Sequence, residues 1–244
     1  MDEPSFLHYL PIASTFISAA FFVALLMRAS KRNWPAHLNW WAIGVFFYGV
    51  GTFFESYITL WGNSPTTNRL WYWAGAVLGA YPLATGSMYL LMRRGRARTV
   101  ANFLCGLSLG IVIWMSIYVF LTPINAEMIE SHRPSGEPLE WQWVRMFSPV
   151  VNGLYAVTFL VGGAAWSSVQ FMIAGGQGKR AIGTGLIAIG AILPGIGGSL
   201  TRSHDLPEAL YVGELTGIIL IWIGYEFCTR KQKRAVAAEP VPAS

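Results

Sequence analysis

The stretch VGTFFESYITLWG, Val50 to Gly62, decides how the chain is read. It is apolar and aromatic enough to sit in lipid, yet it carries a carboxylate, Glu55. On a helix, three- and four-residue spacing gathers Gly44, Tyr48, Gly51, Thr52, Thr59 and Gly62 on the face of Glu55. The opposite face holds Phe46, Phe47, Val50, Phe53, Phe54, Tyr57 and Trp61. The aromatic side is expected to meet lipid and the small, polar side to face a helix bundle. An ionised carboxylate facing hydrocarbon would cost at least ~2.5 kcal/mol. Glu55 is therefore expected to point inward and to be protonated, paired or wet, which makes it a functional candidate.

The rest of the chain has the same character. Of its 244 residues 54% are hydrophobic and only 12% charged, far too little charge for a soluble domain of this size. Seven stretches reach the roughly 20 residues a spanning helix needs, at 9–28, 39–61, 69–92, 99–122, 143–168, 180–202 and 207–229. The fold class expected is an all-α membrane protein of seven helices, one domain over 1–230, with a disordered basic tail over 231–244. The start, MDEPSFLHYLPIAS, lacks a basic segment, so the first stretch is expected to stay as a helix rather than be cleaved. No kinase, cyclase or nucleotide-binding module is expected, because these residues leave no room for one.

Charge sets the expected orientation. Thirteen of the seventeen Lys and Arg fall on one side: Arg28, Lys31 and Arg32; Arg93, Arg94, Arg96 and Arg98; Lys179 and Arg180; Arg230, Lys231, Lys233 and Arg234. The other side has Arg69, Arg133, Arg145 and Arg202. The positive-inside rule puts the N-terminus outside and the C-terminus in the cytoplasm of a bacterial inner-membrane protein. The net charge of +5 is then topology, with some attraction to anionic lipid, and not a sign of nucleic acid. Trp34, Trp40, Trp41, Trp61, Trp71, Trp73, Trp141 and Trp143 fall near span ends, as an interfacial belt should. The longest loop, PINAEMIESHRPSGEPLEWQW, is acidic and is expected to be a solvated outer cap. Cys105 and Cys228 lie inside apolar spans and are expected as free thiols.

Several residues join Glu55 as candidates for ligand binding. Glu214 in the seventh span lies at the same depth, about four residues outward of mid-span. If the second and seventh helices are neighbours, the two acids would share a proton or a cation. LPGIGG, Leu193 to Gly198, allows the sixth helix to open, since Pro194 frees a carbonyl and Gly195 and its neighbours relax the backbone. A simple kink with close helix packing is the reading preferred for those residues. Pro149 and Asn152 fall in the same outer third, below Arg145, the nearest embedded cation, which offers a counter-charge for either Glu or equally snorkels to the head groups. With Thr52 these residues outline an outward-facing polar cavity.

Other chemistries find no support in the sequence. His8, His37, His132 and His204 lie at span ends or loops, so no mid-membrane pair offers haem ligation, and no spacing suggests zinc. The seventh span has no Lys before Lys231 for a retinal Schiff base. No catalytic residue, metal or cofactor is expected. A faint repeat aligns AIGVFFYGVG (42–51) with AIGTGLIAIG (181–190) and YWAGAVLG (72–79) with LYVGELTG (210–217). It would map helices 1–3 onto 5–7, as in some small transporters.

The block NWWAIGVFFYGVGTFFESY, a short loop, then NRLWYWAGAVLGAYPLATGSMYLLMRR resembles the seven-helix sensor region found N-terminal to some bacterial histidine kinases. The likeness rests on the Trp- and Gly-rich start of the second helix, Glu55 near its outer end, and Tyr81-Pro82 in the middle of an aromatic third helix. It implies a membrane sensor or receptor that signals through partners at the cytoplasmic loops. The functional expectation is reception of a small ligand or ion from the outer side. A proton-coupled transporter and a non-catalytic assembly subunit stay open beside it. Expected partners are lipid, that ligand or ion, and a membrane protein or a second copy of the chain, with no nucleic acid.

Overall fold

The computed structural model describes residues 6–204 and 206–229. All seven expected spans are helices long and apolar enough to cross a membrane. They are α1 Leu10–Ser30, α2 Ala36–Trp61, α3 Pro65–Leu91, α4 Gly95–Leu121, α5 Gln142–Ile173, α6 Gly178–His204 and α7 Pro207–Thr229. A 3-10 turn, Phe6–Tyr9, precedes α1. The expected tail over 231–244 lies outside the described residues. "Acidic end" below means the end carrying the loop between α4 and α5; "basic end" means the opposite one.

Two interfaces are built on small residues. α6 lies along α7 with glycine facing glycine: a Cβ added at Gly190 would meet Gly217 O at 2.7 Å, and one at Gly217 would meet Gly190 O at 2.7 Å. Such contact between backbones is how membrane helices associate when lipid removes the hydrophobic drive between them. α2 meets α3 in the same manner, with Leu83 seated on Gly44 and Trp41 on Gly86. α1 packs on α2 and α7 and closes the bundle. On α2 the exposed side carries Phe46, Phe53, Tyr57 and Trp61, while Gly44, Gly51, Thr52, Glu55 and Thr59 are buried. Phe47 differs from expectation: it turns half-inward and packs edge-on against Trp73.

α6 packs closely around Pro194, and the broken spanning helix is α3. α6 keeps α-helical form through Pro194. The carbonyl that Pro194 frees, Gly190 O, faces Gly217, whose backbone also lies against the Pro194 ring. In α3, by contrast, a π turn over Trp73–Val77 runs into a non-helical step at 78–80 before the helix resumes over Tyr81–Leu91. Pro82 has no N–H to give there, so the ladder cannot carry across the step. A second π turn, Val157–Gly162, interrupts α5. These interruptions do not follow the faint repeat, whose counterparts of α3 and α5 are α7 and α1, and both run unbroken.

The loop between α4 and α5 is a clasp rather than a free cap. Ile124 and Leu139 form an antiparallel bridge, and Leu139 is fully buried. Ser135 exchanges two hydrogen bonds with the Asn68 side chain, at 2.7 and 3.0 Å. Asn63 N–H donates to Ser131 O at 2.7 Å. The loop is thereby tied to the junction of α2 and α3.

Gly190→Leu should lower thermal stability in detergent by about 1–3 kcal/mol, since its side chain would meet α7 backbone. Gly195→Leu, which meets open space, should stay within about 0.5 kcal/mol of wild type. Melting followed by size-exclusion chromatography checks both.

Candidate functional site

Glu55 lies six residues from the acidic end of α2, and Glu214 lies seven from the acidic end of α7. At ~1.5 Å rise per residue both stand ~10 Å inside the helix end. α7 rests on α6 and α1, and long side chains bridge the gap from α2 to α7. The Tyr48 hydroxyl donates to Glu214 O at 2.7 Å. The two carboxyl groups sit within hydrogen-bonding reach of one another. Glu55 is 1% exposed.

The surroundings hold few donors. Trp71 Nε1–H donates to Glu55 Oε1 at 2.8 Å. Neither Glu55 Oε2 nor Glu214 Oε2 receives a hydrogen bond from any other described residue, and both atoms are buried. Among the described residues no Lys or Arg acts on either acid, and Glu214 feels the charge of Glu55. Two carboxylates in contact, enclosed and without a cation, repel strongly. A proton between them removes the repulsion and supplies the missing donor.

Hydroxyl groups continue the polar layer into α1. Thr15 Oγ1 donates to Thr52 Oγ1 at 3.0 Å, and Thr52 Oγ1 also reaches Gly49 O at 3.2 Å. Ser14 and Ser18 are fully buried on the same helix, and Ser18 Oγ has no partner. Toward the acidic end, Tyr211 lies one turn from Glu214 and within electrostatic range of both acids and of Arg133. Its ring meets the His8 ring edge-on at 5.6 Å.

The other expected members of the site are placed elsewhere. Arg145 is not the counter-charge: its guanidinium turns to the loop and donates to Glu137 O at 3.1 Å. Asn152 is committed to the broken helix, its amide donating to Ala76 O at 3.2 Å and Val77 O at 3.0 Å. Those carbonyls lie at the π turn and the step in α3, where the regular helical ladder is interrupted. Pro194 is half-buried against α7, and Gly195 is exposed on the outside of α6. The side chain of Pro149 lies outside the described residues. The acids are enclosed, and a cleft of ≈ 280 Å³ lined by Tyr81, Ser108, Asn152 and Tyr155 lies beside α4.

Trp71, Tyr211, His8 and His132 were legible only in part. Trp71 reads as a belt residue, yet a short loop joins α2 to α3, so position 71 returns to the depth of position 55. Among the described residues no group of three or more His, Cys, Asp or Glu could hold a metal ion. Cys105 and Cys228 are free thiols. Comparisons with protein-family models, curated proteins and solved structures find no match to this chain.

Asn152→Ala should destabilise the protein by about 1–3 kcal/mol, because two buried carbonyls lose their donor. Asn152→Gln, which retains an amide, should recover part of the loss in the same melting assay.

Proposed function

We propose that this chain is a receptor-like membrane protein that takes its signal at the Glu55–Glu214 pair. The observation that carries the reading is that two enclosed carboxyl groups, from helices at opposite ends of the chain, lie within hydrogen-bonding reach of one another, with no Lys or Arg acting on either among the described residues. Such a pair is a two-position element. With one proton it holds α2 and α7 together; without it, or with a small cation in its place, the two acids must separate or be bridged anew. Tyr48 and Trp71 report the change to the Glu214 backbone and to α3. Trp71 stands two residues ahead of the π turn, so the signal reaches the most deformable spanning helix at its start.

The positive-inside distribution orients the acidic end outward, in the inner membrane of a bacterium, and gives the basic loops to the cytoplasm. The likeness of α2 and α3 to kinase-linked sensor regions supports the same reading. Output would then pass through the basic loops to a partner.

Nitroxide labels in the loops 31–35 and 174–177, with the protein in nanodiscs, test this reading. A pH step should change the distance between the labels in wild type. Glu55→Gln and Glu214→Gln should hold it at one value. An unchanged distance in wild type, or the same change in both variants, would sink the reading.

A further inference from the structure

At the basic end two short connections carry positive charge that the chain does not neutralise. Lys31 and Arg32 lie between α1 and α2. Arg93, Arg94, Arg96 and Arg98 lie where α3 turns into α4, around Gly95 with its φ of 56°. Between Glu3 and Glu55, and again between Glu55 and Glu127, the sequence has no Asp or Glu. Packing brings the two connections together. A Cβ added at Gly86 of α3 would meet His37 O of α2 at 2.8 Å. Trp40 of α2, Met88 and Tyr89 of α3, and Ala101 and Leu104 of α4 belong to one apolar cluster. The Arg98 guanidinium lies 4.3 Å from the centre of the Tyr89 ring. Arg32, Arg93 and Arg98 are all within electrostatic range of His37.

Other cations at this end are used by the protein itself. Arg28 donates to Thr229 O and lies 5.4 Å from the centre of the Tyr225 ring, and Arg180 donates to Gln177 Oε1 at 3.0 Å. Lys31, Arg32, Arg94 and Arg96 make no hydrogen bond or ion pair with a described residue. Arg93 spends Nε on Leu90 O at 2.7 Å, which leaves its two terminal nitrogens to a ligand. A guanidinium fits phosphate with two N–H groups on two oxygens. The charge also continues into an apolar strip. Arg96, Val100, Phe103 and Leu107 share one face of α4 by three- and four-residue spacing, and the last three side chains are exposed.

From these features we infer that the basic ends of α2, α3 and α4 form a binding site for an anionic phospholipid, its phosphate among Arg32, Arg93 and Arg98 and an acyl chain along Val100, Phe103 and Leu107. A free phosphate would meet the arginines and leave the strip uncovered. A zwitterionic lipid would bring its own ammonium group to a cluster already rich in positive charge, and so binds more weakly. An anionic lipid satisfies both parts at once, as basic pockets at the ends of membrane helices do. The site is separate from the acid pair and holds whether or not that pair takes a signal.

Native mass spectrometry of the full chain, taken from vesicles of phosphatidylglycerol and phosphatidylcholine in equal parts, reads which lipid stays bound. Wild type should retain phosphatidylglycerol over phosphatidylcholine by about tenfold or more, each arginine contributing about fivefold. The double variant Arg32→Gln, Arg93→Gln should bring the two lipids within about twofold of each other. Lys179→Gln with Arg180→Gln removes the same charge from the same end and should leave the preference intact. An excess of inorganic phosphate should not displace the lipid. No preference in wild type, an equal loss in both double variants, or displacement by inorganic phosphate would overturn the inference. Should the first double variant fail to fold, Arg32→Gln alone changes an exposed loop side chain and should lower the preference about fivefold; an unchanged preference there overturns the inference as well.

Discussion

Burying a carboxyl group in hydrocarbon is the constraint on which this bundle turns. Glu55 and Glu214 bring two such groups within hydrogen-bonding reach, and among the described residues no Lys or Arg acts on either. Arg145 binds the loop, and Arg28 donates to Thr229 O at the basic end. The acids must satisfy one another. That requirement fixes the rotation of α2 and α7, since any other face would put an acid in lipid or leave its partner alone. The aromatic side of α2 then meets lipid by necessity, and Tyr48 is brought to the Glu214 carbonyl.

Around this centre the bundle is held together in two ways. α6–α7 close glycine on glycine, backbone to backbone, and α2–α3 close with Leu83 and Trp41 seated on Gly44 and Gly86. α3 and α5 are laced by polar side chains instead: Tyr72 to the Val144 and Arg145 carbonyls, Asn152 to Ala76 and Val77, and Thr85 to Tyr155. Glycine contact gives a rigid pair. Polar lacing across two interrupted helices gives one whose bonds can be exchanged. The acid pair sits where the first kind of interface meets the second, through the Trp71 indole.

The spans, the inward face of α2 and the common depth of the two acids were legible in the sequence because each follows from helix geometry and the cost of charge in lipid. Partner choice was less so. Arg145 has the right depth, but its reach toward the acids competes with a nearby carbonyl in the loop, and depth says nothing about azimuth. Pro194 signals a break, but whether a helix opens depends on what stands opposite the freed carbonyl, and here Gly217 closes on it. In α3 only the position of Asn152 on another helix shows that the Ala76 and Val77 carbonyls, beside the break, have a donor waiting.

The claim that the two acids form one unit is tested most directly by a double-mutant cycle on thermal stability. Glu55→Gln, Glu214→Gln and the double variant are compared with wild type in the same detergent. A single unit predicts a coupling of about 1 kcal/mol or more between the two substitutions, the double variant departing clearly from the sum of the singles. Effects that add within about 0.5 kcal/mol would mean that the carboxyl groups act separately, and would contradict the account.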